Sequence, residues 1–190
     1  MEKVKKIVVF VSGNGTNMSN IITHFKEDKT VSVSHVFSNK KGCLGIENAK
    51  KAGIETITFS KKEMENGKIN AVLTEIEPEL IVLAGFLLKV SDSITSAFEN
   101  KIINIHPALL PKFGGKGMYG TNVHKAVIEA KETKSGITFH YVNENYDEGN
   151  IIEQYDCEVL STDTWKDLQQ KIQKLEHNNF CAVIEKLLLN

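Results

Sequence analysis

The sequence predicts an α/β domain with a mostly parallel sheet flanked by helices and an antiparallel extension in its C-terminal half. Three observations carry that reading. Runs of β-branched and other apolar residues alternate with segments of helical periodicity between residues 7 and 105. The segments between runs are long enough for crossover helices, which makes successive strands parallel and the crossovers right-handed. Beyond residue 135 the pattern changes to two strand-like runs separated by the turn Asn143 to Asn150, which points to antiparallel pairing.

Taken in order, Ile7-Val8-Val9-Phe10-Val11 is a continuous apolar run, as expected of a strand buried on both faces. Ser12-Gly13-Asn14-Gly15-Thr16-Asn17 interrupts it, and Met18, Ile21, Ile22 and Phe25 then recur at helical spacing. Val31 to Phe37 is a second strand, Leu44 to Ala52 a second helix and Ile54 to Phe59 a third strand. A Lys- and Glu-rich helical stretch closes at Glu77-Pro78. Leu80 to Ala84 and Lys101 to Ile105 are the fourth and fifth strands. His106 to Gly120 is a loop holding two of the three prolines and four glycines, and the helix Thr121 to Ala130 follows, with Thr121 as its expected cap. Gly136 to Val142 and Ile151 to Leu160 are the last two strands. Thr162-Asp163 opens a long helix whose apolar stripe runs through Trp165, Leu168, Ile172, Leu175, Phe180, Val183 and Leu187. No repeat or linker interrupts the pattern, so residues 1–190 read as one domain.

Composition bounds the function. Hydrophobic residues make up 41% and charged residues 25%, which excludes collagen-like, disordered and membrane-spanning classes. A net charge of −1 provides no bulk attraction to nucleic acid or lipid. All 23 cationic side chains are lysines. Without an arginine fork, an acidic ligand must be met by Lys, by backbone N–H groups or by helix N-termini, and sequence-specific DNA reading is disfavoured. Cys43, Cys157 and Cys181 lie far apart and are odd in number, which favours a reducing, cytoplasmic setting over a disulfide or zinc framework. The first apolar run is too short for a signal peptide or a membrane span.

Two stretches carry chemistry. Gly13-Asn14-Gly15-Thr16-Asn17 joins the first strand to the first helix, where glycines let a ligand approach the backbone and the helix start offers free N–H groups to an anion. Met18 stands where a dinucleotide fingerprint has its third glycine, so a phosphate monoester fits better. A tight turn with an Asn cap explains the same residues equally well. In Asn104-Ile105-His106-Pro107, Asn104 and His106 point the same way from a strand end, an amide beside an imidazole. That pair supplies an oxyanion donor and a proton shuttle, as acyl transfer requires. A packed histidine before a proline loop is the plainer alternative. Asp147 lies in a turn sequence, and a carboxylate there would raise the pKa of a nearby imidazole and fix its tautomer. His24, His35, His124 and His177 have no metal-ligand spacing.

Together these pieces resemble the phosphoribosylglycinamide formyltransferases, folate-dependent enzymes of purine synthesis. The resemblance runs from the first strand to the last helix and rests on residues 12–17, Phe37-Ser38-Asn39, Leu83-Ala84-Gly85-Phe86, Asn104-Ile105-His106-Pro107, Leu109-Leu110-Pro111 and Asp147-x-Gly149. It implies a Rossmann-like formyltransferase fold and transfer of a formyl group from 10-formyltetrahydrofolate to the amine of glycinamide ribonucleotide, with no metal. Asn104, His106 and Asp147 are then the catalytic set. Gly13, Asn14, Gly15, Thr16, Asn17 and Met18, with Gln173 and Glu176, match the ribonucleotide site. Phe86, Leu87, Leu88, Lys89 and Val90 match the folate site, along with Asn104 and with Asn143, Glu144, Asn145, Tyr146 and Asp147. Where many members have Met-Arg after Gly-Phe, this chain has Leu87-Leu88-Lys89, which leaves Lys62 and Lys89 to meet the folate's glutamate tail. Other formyl-folate transferases and hydrolases share the triad, and a non-catalytic phosphate-binding module is the remaining alternative.

Overall fold

The computed structural model describes residues 3–189. Seven strands form one sheet in the order β3-β2-β1-β4-β5-β6-β7: β1 (Lys5–Val11), β2 (Val31–Ser38), β3 (Glu55–Thr58), β4 (Leu80–Leu83), β5 (Ile102–His106), β6 (Lys134–Tyr141) and β7 (Ile151–Glu158). β1 to β5 pair in parallel, while β6 runs antiparallel to β5 and β7 antiparallel to β6. This is the mixed sheet that the sequence predicts. The helices are α1 (Thr16–His24), α2 (Leu44–Lys51), α3 (Lys61–Glu65), α4 (Lys68–Ile76), α5 (Asp92–Ala97), α6 (Thr121–Glu129) and α7 (Trp165–Leu189). Among the described residues no helix is long and apolar enough to cross a membrane.

Strand periodicity divides the core in two. Ile7, Val9 and Val11 of β1 face one side and pack with Met18 and Ile21 of α1, Ile46 of α2, Val127 of α6 and the α7 stripe. Val8 and Phe10 face the other side, with Met64 of α3, Leu73 of α4 and Ile94 of α5. On that second side the apolar cluster reaches β5 only at Ile102. By alternation Asn104 and His106 share the face of Ile102, and their cross-strand partners His140 and Thr138 on β6 share it too. A run of polar side chains thus continues the sheet surface where the apolar core stops.

Three local expectations need correction. The charged stretch before Pro78 is two helices, separated at Gly67 with φ of 85°, and α3 starts with a capping box between Ser60 and Glu63. Thr121 is the first helical residue of α6 rather than its cap; Gly120 holds that position without a side-chain acceptor. α7 begins at Trp165 instead of Thr162, because Thr164 and Asp167 exchange backbone and side-chain bonds and fix the start there. The short helix α5 was not expected from the sequence at all.

The loop after β5 is held by one buried hydroxyl. Thr138 Oγ1 donates to the Ala108 carbonyl at 2.7 Å and accepts from Leu110 N–H at 3.0 Å and from Gln154 Nε2 at 2.9 Å. The same Gln154 nitrogen donates to the Leu110 carbonyl at 3.1 Å. Thr138 is fully buried, so these groups have no water to turn to. Thr138→Val keeps the shape and removes the three hydroxyl bonds while leaving the Gln154–Leu110 bond in place. It should cost about 2 kcal/mol, measured by urea unfolding, through the orphaned Leu110 and Ala108 groups; a loss below about 0.5 kcal/mol would show that the loop is not anchored there.

Candidate active site

A cavity of about 690 Å³ opens at the carboxyl ends of the strands. Its position follows from chain order. From β1 the chain moves outward to β2 and β3, then returns to β4 on the other side of β1, and crevices form at such reversals. Gly13 to Asn17, entering α1, form one wall and Phe86 to Val90, after the adjacent strand β4, another; Asn104, His106 and His140 line the floor, the part over β5 and β6.

On the floor the geometry is tight. His140 Nδ1 lies 2.8 Å from the Tyr141 carbonyl, which can only accept, so the ring proton sits on Nδ1. His140 Nε2 then accepts from Asn104 Nδ2 at 3.1 Å, which fixes the amide orientation and leaves the second N–H of Nδ2 uncommitted. His106 Nε2 donates to the Phe113 carbonyl at 2.8 Å, and its Nδ1 faces Asp147 Oδ2 at 3.5 Å. Asp147 Oδ1 lies 3.6 Å from His140 Nε2, and Oδ2 accepts from Gly115 N–H at 2.9 Å. Asp147 reaches this place from a left-handed backbone, φ 57°. Two residues on, a Cβ at Gly149 would lie 1.8 Å from the Tyr141 carbonyl, so only glycine lets the turn close onto β6.

Burial and charge oppose each other here. Burial pushes the His106 imidazole below its ordinary value, while Asp147 and the Phe113 carbonyl pull it upward. The sequence reading expected a raised value; the Asp147 contribution has that sign, but desolvation outweighs it. Burial also works against charge on Asp147, yet the neighbouring His140 and His106 rings and the Gly115 N–H prevail and hold its carboxyl below the usual carboxylate value. His124 of α6, buried and close enough to sense His106, is pushed down to about 4.

The α1 side is built differently. Gly15 occupies the N-cap position at φ 71°, no side chain caps the helix, and a Cβ on Gly15 would meet Gly45 Cα at 2.8 Å. The Gly13 carbonyl accepts from Gly45 N–H at 3.0 Å, which ties the loop to the start of α2. Asn17 Nδ2 donates to Glu176 Oε2 of α7 at 2.9 Å, and Asn17 Oδ1 is buried without a partner among the described residues. Burial raises the Glu176 carboxyl above its ordinary value, and Asn17 offsets part of this.

Most of the expected site residues line this cavity: Gly13 to Asn17, Phe86 to Val90, Asn104, His106, Asn143, Asn145, Tyr146, Asp147, Gln173 and Glu176. Met18 does not, because its side chain is fully buried in the core beneath the loop. Glu144 faces a smaller neighbouring cavity between α5 and the residue 143–150 segment. Phe86 and Val90 touch the cavity but spend most of their surface on the core, Phe86 edge-on to Phe10 with centroids 5.2 Å apart. Lys89 lines the wall and pairs with Asp92 at 3.0 Å, whereas Lys62 on α3 lies outside the cavity. His140, Gly45 and His124 had been given no role from sequence. His140 could have been found by pairing the antiparallel strands, which sets it opposite Asn104. Among the described residues no group of three or more His, Cys, Asp or Glu side chains is arranged to hold a metal ion.

Comparison with known proteins gives a consistent result. The formyl transferase family matches residues 5–184. The phosphoribosylglycinamide formyltransferase of Bacillus subtilis (strain 168) is 38% identical over 191 residues, covering 97% of this chain and 95% of that protein. The chloroplastic phosphoribosylglycinamide formyltransferase of Arabidopsis thaliana is 39% identical over 187 residues, covering 95% of this chain; the chain spans only 64% of that protein's length. Among solved structures, glycinamide ribonucleotide transformylase 1 of Geobacillus kaustophilus superposes with a TM-score of 0.88 at 30% identity, covering 98% of this chain and all of that one. The family match starts on the first residue of β1 and ends within α7, so it takes in every strand and every wall of the cavity, and the chain belongs to the formyl transferase family.

Proposed function

We propose that this chain is a single formyltransferase domain that transfers the formyl group of 10-formyltetrahydrofolate to the amine of glycinamide ribonucleotide, a step of purine synthesis. The observation that carries the reading is the convergence of Asn104, His106 and Asp147 at the floor of a cavity with one anion-ready wall and one apolar wall. The uncapped first turn of α1 and the Gly13–Asn17 loop suit the ribonucleotide phosphate, with Asn17, Gln173 and Glu176 beside the rest of that substrate. Leu87 and Tyr146, 47% and 44% exposed at the rim, suit the flat pteridine of the folate, with Lys89 near its acidic tail. Three free cysteines support a reducing, cytoplasmic setting.

The residues divide the work as follows. The substrate amine attacks the formyl carbon, and charge moves onto the formyl oxygen. Asn104 donates its uncommitted N–H to that oxygen, in the orientation His140 imposes. His106 moves a proton toward the departing folate nitrogen, reaching it by giving up the Phe113 carbonyl at the head of the Gly114-Gly115 segment. The amine loses one proton and the leaving nitrogen gains one, so the transfer is proton-neutral. Asp147 keeps His106 oriented and stabilises its charged form.

Three measurements test this. His106→Ala and Asn104→Ala should each lower kcat by about two to three powers of ten with an unchanged circular dichroism spectrum, the scale of a lost proton shuttle or oxyanion donor. Turnover near wild type would remove that residue from the mechanism. In titration calorimetry the dephosphorylated nucleoside should bind at least about tenfold more weakly than the ribonucleotide, since the α1 N-terminus then meets no anion. Equal affinities would move the phosphate elsewhere. Asp147→Asn removes the one contribution from a charge that raises the His106 pKa, leaving burial unopposed by it. The limb of the pH–rate profile on which activity falls as His106 loses its proton with rising pH should therefore shift to lower pH, and turnover should fall even at the new optimum; an unshifted profile with full turnover would reduce Asp147 to a turn residue.

A further inference from the structure

We infer that Ser12 is a positioning residue whose hydroxyl fixes the ribonucleotide loop against the folate wall, so that one buried oxygen sets the width of the cleft for both substrates. The ligand names rest on the functional reading above; the clamp itself rests on geometry. Ser12 is the first residue after β1, where the chain order reverses between β2 and β4, and it is only 2% exposed. Its N–H donates to the Gly85 carbonyl at 3.1 Å, which continues the β1–β4 ladder and needs no particular side chain. The side chain does something the ladder does not. Ser12 Oγ donates to Asn39 Oδ1 at 2.7 Å, beyond the end of β2, and accepts from Leu87 N–H at 2.9 Å, in the middle of the folate wall.

A hydroxyl has one proton and two lone pairs. Asn39 takes the proton and so turns a lone pair toward Leu87; the exits of β1, β2 and β4 meet on a single atom. The next residue, Gly13, is already in the anion loop, and its carbonyl is pinned to Gly45 N–H. Neither Asn104 and His106 on β5 nor Asp147 in the 143–150 segment bonds to Ser12 in the structure described above. The clamp therefore acts on where the substrates sit and leaves the reacting groups alone.

Ser12→Ala removes both side-chain bonds and keeps the backbone bond. With a net hydrogen bond worth about 0.5–1.5 kcal/mol, KM for the ribonucleotide and KM for 10-formyltetrahydrofolate should each rise about three- to tenfold. The kcat at saturation should stay within about twofold of wild type, the pattern of lost uniform binding. Hydrogen exchange at the Leu87 amide, followed by NMR in the unliganded protein, should accelerate by a similar factor. Ser12→Thr, which restores the hydroxyl, should return both KM values and the exchange rate toward wild type. Asn39→Ala leaves the Ser12–Leu87 bond but frees the hydroxyl proton, and should give a smaller rise in both KM values; it also serves if Ser12→Ala fails to fold. A rise in one KM alone, a fall in kcat at unchanged KM, or an unchanged Leu87 exchange rate would overturn the clamp. If the wild-type protein turns over neither substrate, the functional reading fails by itself, and Leu87 exchange still decides the clamp.

Discussion

Strand β6 lies on β5 in a register that sets His140 opposite Asn104 and Thr138 opposite His106, and the site depends on that pairing. A slip of one residue would turn His140 and Thr138 into the apolar cluster beneath α7 and bring Ile137 and Phe139 to the cavity floor. Each of the four side chains has a job only in this register. Thr138 ties down the loop that follows His106, and His140 fixes the amide of Asn104 through a proton committed to the Tyr141 carbonyl. That same carbonyl is the surface on which Gly149 closes, so the turn that delivers Asp147 is built against the strand that orients Asn104.

The electrostatics follow from the same enclosure. Burial pushes His106 and His124 toward their neutral forms, while the facing imidazoles and the Gly115 N–H hold the Asp147 carboxyl below its ordinary value. The cavity floor thus holds a carboxylate charge among imidazoles that are costly to protonate, and the readiness of His106 to carry a proton depends on how closely Asp147 approaches it. Under the proposed function the α1 wall would meet a phosphate without a guanidinium. A chain with no arginine offers backbone N–H groups there, at the start of a helix that no side chain caps.

Much of this was legible in the sequence, for reasons that can be named. Continuous apolar runs located β1 and β4 because both sheet faces are covered there, and apolar residues interspersed with Ser, Asn or His located β2, β5 and β6. Asn104 and His106 stood out because polar residues two apart on a buried strand are costly unless used. The short helix α5 escapes because six residues show too little periodicity, and the break at Gly67 is hidden because helix-forming residues continue on both sides of it. Met18 was misplaced because its position in a loop motif says nothing about which way its side chain turns. His140, Gly45 and Ser12 act through partners far away in sequence, so only pairing and close approach reveal them. The depressed His106 imidazole was hidden for a related reason, since desolvation is a property of the packed state.

The bond between Asn17 and Glu176 joins the first helix to the last across 159 positions of the chain. The wall it builds cannot exist until α7 has docked, so a ribosome-bound chain still lacking α7 has the Gly13–Asn17 loop without its partner surface. A ligand that needs both helices would therefore bind only a finished fold. By linkage, any molecule seated between α1 and α7 also strengthens their docking in proportion to the logarithm of its concentration above Kd.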